Sequence, residues 1–135
     1  MFKIIFISIC IVQVYANDYL VVANKSLPIS KITALQLKMI FLKKSKIING
    51  TTVVPINLGV SNIIRKSFEK NILHMSRKRL KYFWIKQHYL GKRPPITMKS
   101  PESIIKFVQN VDGAISYIPL NAFNDNVKII FRWTD

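Results

Sequence analysis

Ser61, Asn62 and Arg65 lie where an apolar, β-branched run gives way to a helical pattern, within Val53-Val54-Pro55-Ile56-Asn57-Leu58-Gly59-Val60-Ser61-Asn62-Ile63-Ile64-Arg65-Lys66-Ser67-Phe68. A strand that empties into a helix start presents unpaired backbone N–H groups and the positive end of the helix dipole, which together hold an anion. Ser61 and Asn62 add donors, and Arg65, one turn into the helix, adds a fork able to take two oxygens. That set suits phosphate or another oxyanion. The same residues also read as an ordinary capped helix, with Ser61 or Asn62 at the N-cap and Arg65 a solvated helix residue.

Other chemistry is harder to assemble. His74 and His88 fall near helix ends without a carboxylate or a second ligand at metal spacing, so no metal is predicted. Asp18, Glu69, Glu102, Asp112 and Asp125 are scattered, and Asp135 is the last residue, so no acid and base pair is recognisable. Gly59-Val60-Ser61 lacks the small residues of a nucleophile elbow, and neither type of Gly-rich nucleotide loop occurs. The sequence therefore predicts a binding protein without a cofactor, and not an enzyme.

From Ser76 to Pro95 the chain carries Arg77, Lys78, Arg79, Lys81, Lys86, Lys92 and Arg93 without an acid, interleaved with Tyr82, Phe83, Trp84 and Tyr89. Basic residues beside aromatics would suit nucleic acid, through phosphate neutralisation and stacking. However, Phe83 and Trp84 align with Leu80 as a core stripe, and an export signal removes the chain from most nucleic acid. The expectation is a solvated basic helix and no nucleic-acid partner.

The chain has 135 residues, 21 Lys and Arg against 6 Asp and Glu, and a net charge of +15. Half of it is hydrophobic, so a packed single domain is expected and a disordered basic tail is excluded. Residues 1–16 read as a signal peptide: Lys3 gives the positive start, Ile4 to Val14 the apolar region, and Val14-Tyr15-Ala16 the cleavage box. The apolar run is shorter than the roughly 20 residues a permanent membrane helix needs, so cleavage is expected. Cleavage removes Cys10, the single cysteine, and leaves a charge of +14, because Lys3 is the one charged residue lost. A domain over residues 17–135, periplasmic or secreted, is the expectation.

These residues need elements to position them. Tyr19–Ala23 reads as a first strand, closed by a loop through Pro28. Thr33 and Gln36 have capping-box spacing before a helix over Ala34–Leu42. Asn49-Gly50 makes a turn before a second strand that runs from Thr51 to Leu58. Ile64, Phe68 and Ile72 make an amphipathic helix, and Ser76 caps another that carries Leu80, Phe83 and Trp84. Ser100-Pro101 opens a helix with Ile104, Ile105 and Val108 on one face and Asp112-Gly113 at its end. Strands follow at Ala114–Ile118 and Val127–Phe131. The alternation predicts an α/β fold with a mostly parallel sheet flanked by helices.

In that order, Val21-Val22-Ala23-Asn24, Val54-Pro55-Ile56-Asn57, Ser61 with Arg65 and Phe68, Tyr82-Phe83-Trp84, Gly91-Lys92-Arg93-Pro94-Pro95, Ser100-Pro101-Glu102 and Gly113-Ala114-Ile115-Ser116-Tyr117-Ile118 resemble one lobe of the phosphate-binding proteins of bacterial ABC transporters. The chain is similar to short, single-lobe members of the periplasmic-binding-protein-like (type 2) group. The resemblance implies an exported solute-binding module for phosphate or a similar small anion. It also implies an ABC transporter permease or an envelope protein as partner. Where full-length relatives carry a Gly-Ser-Gly-Thr anion loop, this chain has Gly59-Val60-Ser61-Asn62, so Ser61 and Arg65 are the matched positions. Strand-end donors near the first strand also reach the ligand in the family, which adds Ser26. One lobe is half a clamp, so a homodimer or another protein would supply the second wall. The alternative is a module that keeps the fold without the ligand and uses its basic surface on an acidic polymer, anionic lipid or protein.

Overall fold

The computed structural model describes residues 4–5 and 17–135, so the expected signal peptide, with its cleavage box, lies almost wholly outside the described residues. From Asn17 onward the elements are β1 (Asp18–Ala23), α1 (Ala34–Phe41), β2 (Ile47–Ile48), β3 (Thr51–Thr52), β4 (Val54–Leu58) and α2 (Ile63–Phe68). A π-helical turn, Glu69–Leu73, continues α2 and is followed by α3 (Arg77–Tyr89), β5 (Ile96–Met98), α4 (Pro101–Asn110), β6 (Ala114–Pro119) and β7 (Lys128–Thr134).

Local signals place most of these. Thr33 Oγ1 accepts from the Gln36 N–H while the Gln36 side chain accepts from the Thr33 N–H, closing the capping box at α1. Ser76 and Ser100 cap α3 and α4 by accepting from Arg79 N–H and Ser103 N–H, with Pro101 opening α4. Asn49 and Gly50 both have positive φ, 45° and 80°, which turns β2 into β3 as a two-residue hairpin. The expected second strand is therefore two: Thr51–Thr52 pairs in the hairpin, and Val54–Leu58 enters the main sheet.

The main sheet has the order β5-β4-β6-β1-β7. It is mixed, which corrects the expectation of a mostly parallel sheet. β4 is parallel to β5 and to β6, whereas β1 is antiparallel to both β6 and β7. The reason lies in β1, whose residues from Tyr19 to Ala23 are all buried because it sits between two neighbours. A continuous apolar run reports burial on both faces and carries no information about strand direction. The short strand β5, at the sheet edge and mostly exposed, adds a strand to the expected order.

The core gathers on β6 and β1. Phe68 of α2 stacks on Tyr117 at 4.3 Å between ring centres, Phe41 of α1 meets Phe68 edge-on at 4.7 Å, and Trp133 of β7 lies 5.7 Å from Phe68. Trp133 Nε1 donates to Ser67 Oγ at 2.9 Å, tying β7 to α2. Ile104, Ile105 and Val108 of α4 are buried as expected. Gly113, at φ 74°, lets β6 start directly beneath the Thr52 carbonyl; a Cβ there would lie 2.0 Å from that oxygen.

Candidate functional site

β4, β5 and β6 all point their carboxyl ends at one edge of the sheet, the edge at which open α/β sheets generally place ligands. β4 ends there at Leu58 and releases the loop Gly59–Asn62. Asn62 N–H donates to Gly59 O at 2.9 Å, and Asn62 Oδ1 accepts from Ile64 N–H at 2.8 Å, so Asn62 is the N-cap of α2. Val60 and Ser61 remain exposed at the tip of the loop.

Both backbone groups of Leu58 are held by side chains. Its N–H donates to the Tyr117 hydroxyl at 3.2 Å, and that hydroxyl donates in turn to Asn57 Oδ1 at 2.8 Å. Its carbonyl accepts from Arg65 Nη1 at 2.9 Å. Burial pushes the Tyr117 phenol well above its ordinary range, opposed in part by the Leu58 N–H and by the Arg65 charge.

Arg65 is thus neither a solvated helix residue nor a fork aimed into the loop. It is buried, with Nε donating to Glu69 Oε2 at 3.1 Å, and the same carboxylate oxygen lies 3.3 Å from Arg77 Nη2 of α3. The chain brings Ser61 and Asn62 together with Arg65 beneath them. It does not bring Ser26 to them. Ser26 Oγ accepts from Gly113 N–H at the opposite end of the sheet, where β4 and β6 begin, about 15 Å away along the strands.

Three cations that read in the sequence as solvated helix charges reach the loop. Arg77, Lys78 and Lys81 of α3 line a groove together with Val60. No periodicity links the loop to a helix that far downstream. The readable signal was the pair Arg65 and Glu69, four residues apart on one helical face, which marks a carboxylate able to draw in another cation. His74 ends the π-helical turn with φ 50°, and His88 Nδ1 lies 2.6 Å from Arg93 Nη1. Among the described residues, no three His, Cys, Asp or Glu side chains come together as a metal site. Nor is any helix among them long and apolar enough to cross a membrane.

No protein-family model matches the chain, and no curated protein matches it. Solved structures do. An ABC-type phosphate transport receptor from Vibrio cholerae superposes with a TM-score of 0.69 at 16% identity, over 85% of this chain and 46% of the receptor. A Clostridium perfringens protein assigned as a phosphate ABC transporter substrate-binding protein, solved with phosphate bound, gives 0.70 at 18% identity, over 85% and 44%. PstS from Borrelia burgdorferi gives 0.65 at 16%, over 85% and 47%. These are receptors and binding proteins, not enzymes, and this chain spans less than half the length of each. The likeness carries the fold: the chain is an α/β unit that matches phosphate ABC transporter substrate-binding proteins over an extent consistent with a single lobe.

Proposed function

We propose that the protein is an exported solute-binding module that takes phosphate or a related oxyanion at the loop between β4 and α2, for ABC-type uptake. The observation that carries this reading is the open Gly59–Asn62 loop at the carboxyl edge of the parallel strands, flanked by Arg77, Lys78 and Lys81, in a fold matching phosphate receptors. Ser61 Oγ and the loop N–H groups donate to the anion. The three cations neutralise it and raise its local concentration. Asn62 shapes the loop as the helix cap, and Arg65 acts from beneath by fixing the Leu58 carbonyl. Ser26, at the far edge, has no part in the site.

The chain covers less than half of the receptors it matches, and a single lobe offers an anion one wall rather than a closed cleft. Alone, the loop binds weakly. At a Kd of about 1 mM, about 100 mM phosphate would raise stability by about 2.7 kcal/mol. Calorimetric titration with phosphate and then sulfate tests the reading, with thermal unfolding in both salts as the control for general salt effects. Saturable phosphate binding that Ser61→Ala and Lys78→Gln weaken supports it. No heat, together with equal stabilisation by the two anions, would sink it.

A further inference from the structure

α3 has 13 residues and buries one of them, Leu80; Phe83 and Trp84 are half-buried, with Lys44 Nζ 5.6 Å from the centre of the Phe83 ring. At about 3.6 residues per turn, Lys78, Tyr82, Ile85 and Tyr89 point away from Leu80. Their exposure follows: Tyr82 is 61% exposed, Ile85 46% and Tyr89 84%, and Leu90 just beyond the helix is 67% exposed. Trp84, Ile85 and Tyr89 share a second surface groove with Lys81 and His88. A helix this short is marginal in water on its own propensity, and here the protein body covers little of it.

Charge decides what covers the rest. From Lys70 to Lys99 the chain carries nine Lys and Arg and no Asp or Glu. A second copy would set Lys78, Lys81 and Lys86 against the same lysines, a like-charge juxtaposition that opposes pairing. Exposed aliphatic and phenolic groups flanked by lysines suit a bilayer surface: the apolar groups can enter the headgroup boundary while the lysines meet anionic lipid. Ile85 and Leu90 gain from an acyl boundary and offer nothing to a nucleic-acid base, which places lipid ahead of nucleic acid.

We infer that the outer face of α3 docks the protein on an anionic phospholipid surface. Lys81 lines both the groove beside Trp84 and the one beside Val60, but Ile85, Lys86 and Tyr89 do not line the latter, so variants at these three positions separate lipid docking from anion binding at the β4–α2 loop.

The test is cosedimentation of the folded domain, residues 17–135, with vesicles of phosphatidylcholine, alone or with phosphatidylglycerol, combined with brominated lipids as short-range quenchers of Trp84; Trp133 is buried in the core. The expected result is binding that needs phosphatidylglycerol and quenching of Trp84 fluorescence by brominated lipid. Lys86→Gln should weaken partitioning about fivefold, and Ile85→Ser with Tyr89→Ser about tenfold or more. Circular dichroism and phosphate titration of these exposed variants check that fold and loop are intact. Partitioning that ignores vesicle charge, or that Ile85→Ser with Tyr89→Ser leaves unchanged, overturns the inference. So does a Trp84 beyond the reach of the quenchers, or tighter binding to a single-stranded oligonucleotide that is lost in the same variants.

Discussion

Removing the Glu69 carboxylate should be among the most damaging polar substitutions in the protein. Its Oε2 lies 3.1 Å from Arg65 Nε and 3.3 Å from Arg77 Nη2, and the Arg65 and Glu69 side chains are only 8% and 7% exposed. The two partners differ in worth. Arg77 is 41% exposed at its side chain, so its bridge contributes about 0–1 kcal/mol. Arg65 without Glu69 is a guanidinium in the core with the Leu58 carbonyl as its remaining partner, and breaking a buried pair in this way costs about 3–5 kcal/mol. Allowing for that surviving hydrogen bond, Glu69→Leu should lose about 2–4 kcal/mol, and Glu69→Gln, which keeps an acceptor, should fall at the low end. Urea unfolding reads this directly: with a slope of about 2 kcal/mol/M the midpoint drops by about 1–2 M. The double-mutant cycle between positions 65 and 69 should give a larger coupling than that between 69 and 77. Arg65→Met with Glu69→Leu should lie closer to the wild type than either single change, since neither charge is then stranded. A Glu69→Leu protein within about 0.5 kcal/mol of the wild type would refute the reasoning, because no buried guanidinium could then depend on that carboxylate.

Gly113→Ala forces a Cβ to 2.0 Å from the Thr52 carbonyl at φ 74°, so it should cost about 3 kcal/mol or more, whereas Gly91→Ala, at φ 78° in open space, should cost about 1 kcal/mol; paired urea curves compare them. Tyr117→Phe leaves the Leu58 N–H without its acceptor and should cost about 1–3 kcal/mol at neutral pH. Because burial raises the Tyr117 phenol, its contribution is whole below the unfolded tyrosine value of about 10 and declines as pH rises beyond it, so Tyr117→Phe should flatten the alkaline limb of a stability–pH curve. Asp18 is held below its ordinary value, first by the Thr134 hydroxyl and then by Arg132, so what it contributes is present above the unfolded carboxylate value and is lost as pH falls through the folded one. Asp18→Asn should remove that acid-side dependence, which thermal melts between neutral pH and pH 3 would show.

Much of the fold was legible because its signals are local. The box at Thr33 and Gln36, the Ser100-Pro101 start of α4 and the Asn49-Gly50 turn each act within a few residues, and each forms as its spacing dictates. Features set by distant chain were not legible. β5 exists because Ile96–Met98 meets Ile56–Leu58 across the sheet edge, and three mostly exposed residues after two prolines announce nothing of this. The direction of β1 depends on where its neighbours run, and the placement of Ser26 follows from that direction: an antiparallel β1 carries the residues after it to the end of the sheet away from the β4–α2 loop.

The candidate site was legible in part for the same reason. The strand, the cap at Asn62 and the exposed Ser61 follow from local sequence, but the role of Arg65 does not. An arginine one turn into a helix that follows a strand can turn outward to a ligand or inward to the strand. Here the balance is tipped by a carboxylate on its own helical face and by a carbonyl at the end of β4, beyond which the chain turns into the loop. Leu58 is gripped on one side by Tyr117 and on the other by Arg65, so the loop leaves the sheet at a fixed angle toward Arg77, Lys78 and Lys81. In this arrangement the buried arginine orients the loop and the exposed cations supply its charge. Arg65→Lys and Lys78→Gln should therefore separate the two roles: the first should weaken stability and phosphate binding together, because an ammonium cannot serve the carbonyl and the carboxylate with the same fork, and the second should weaken phosphate binding alone.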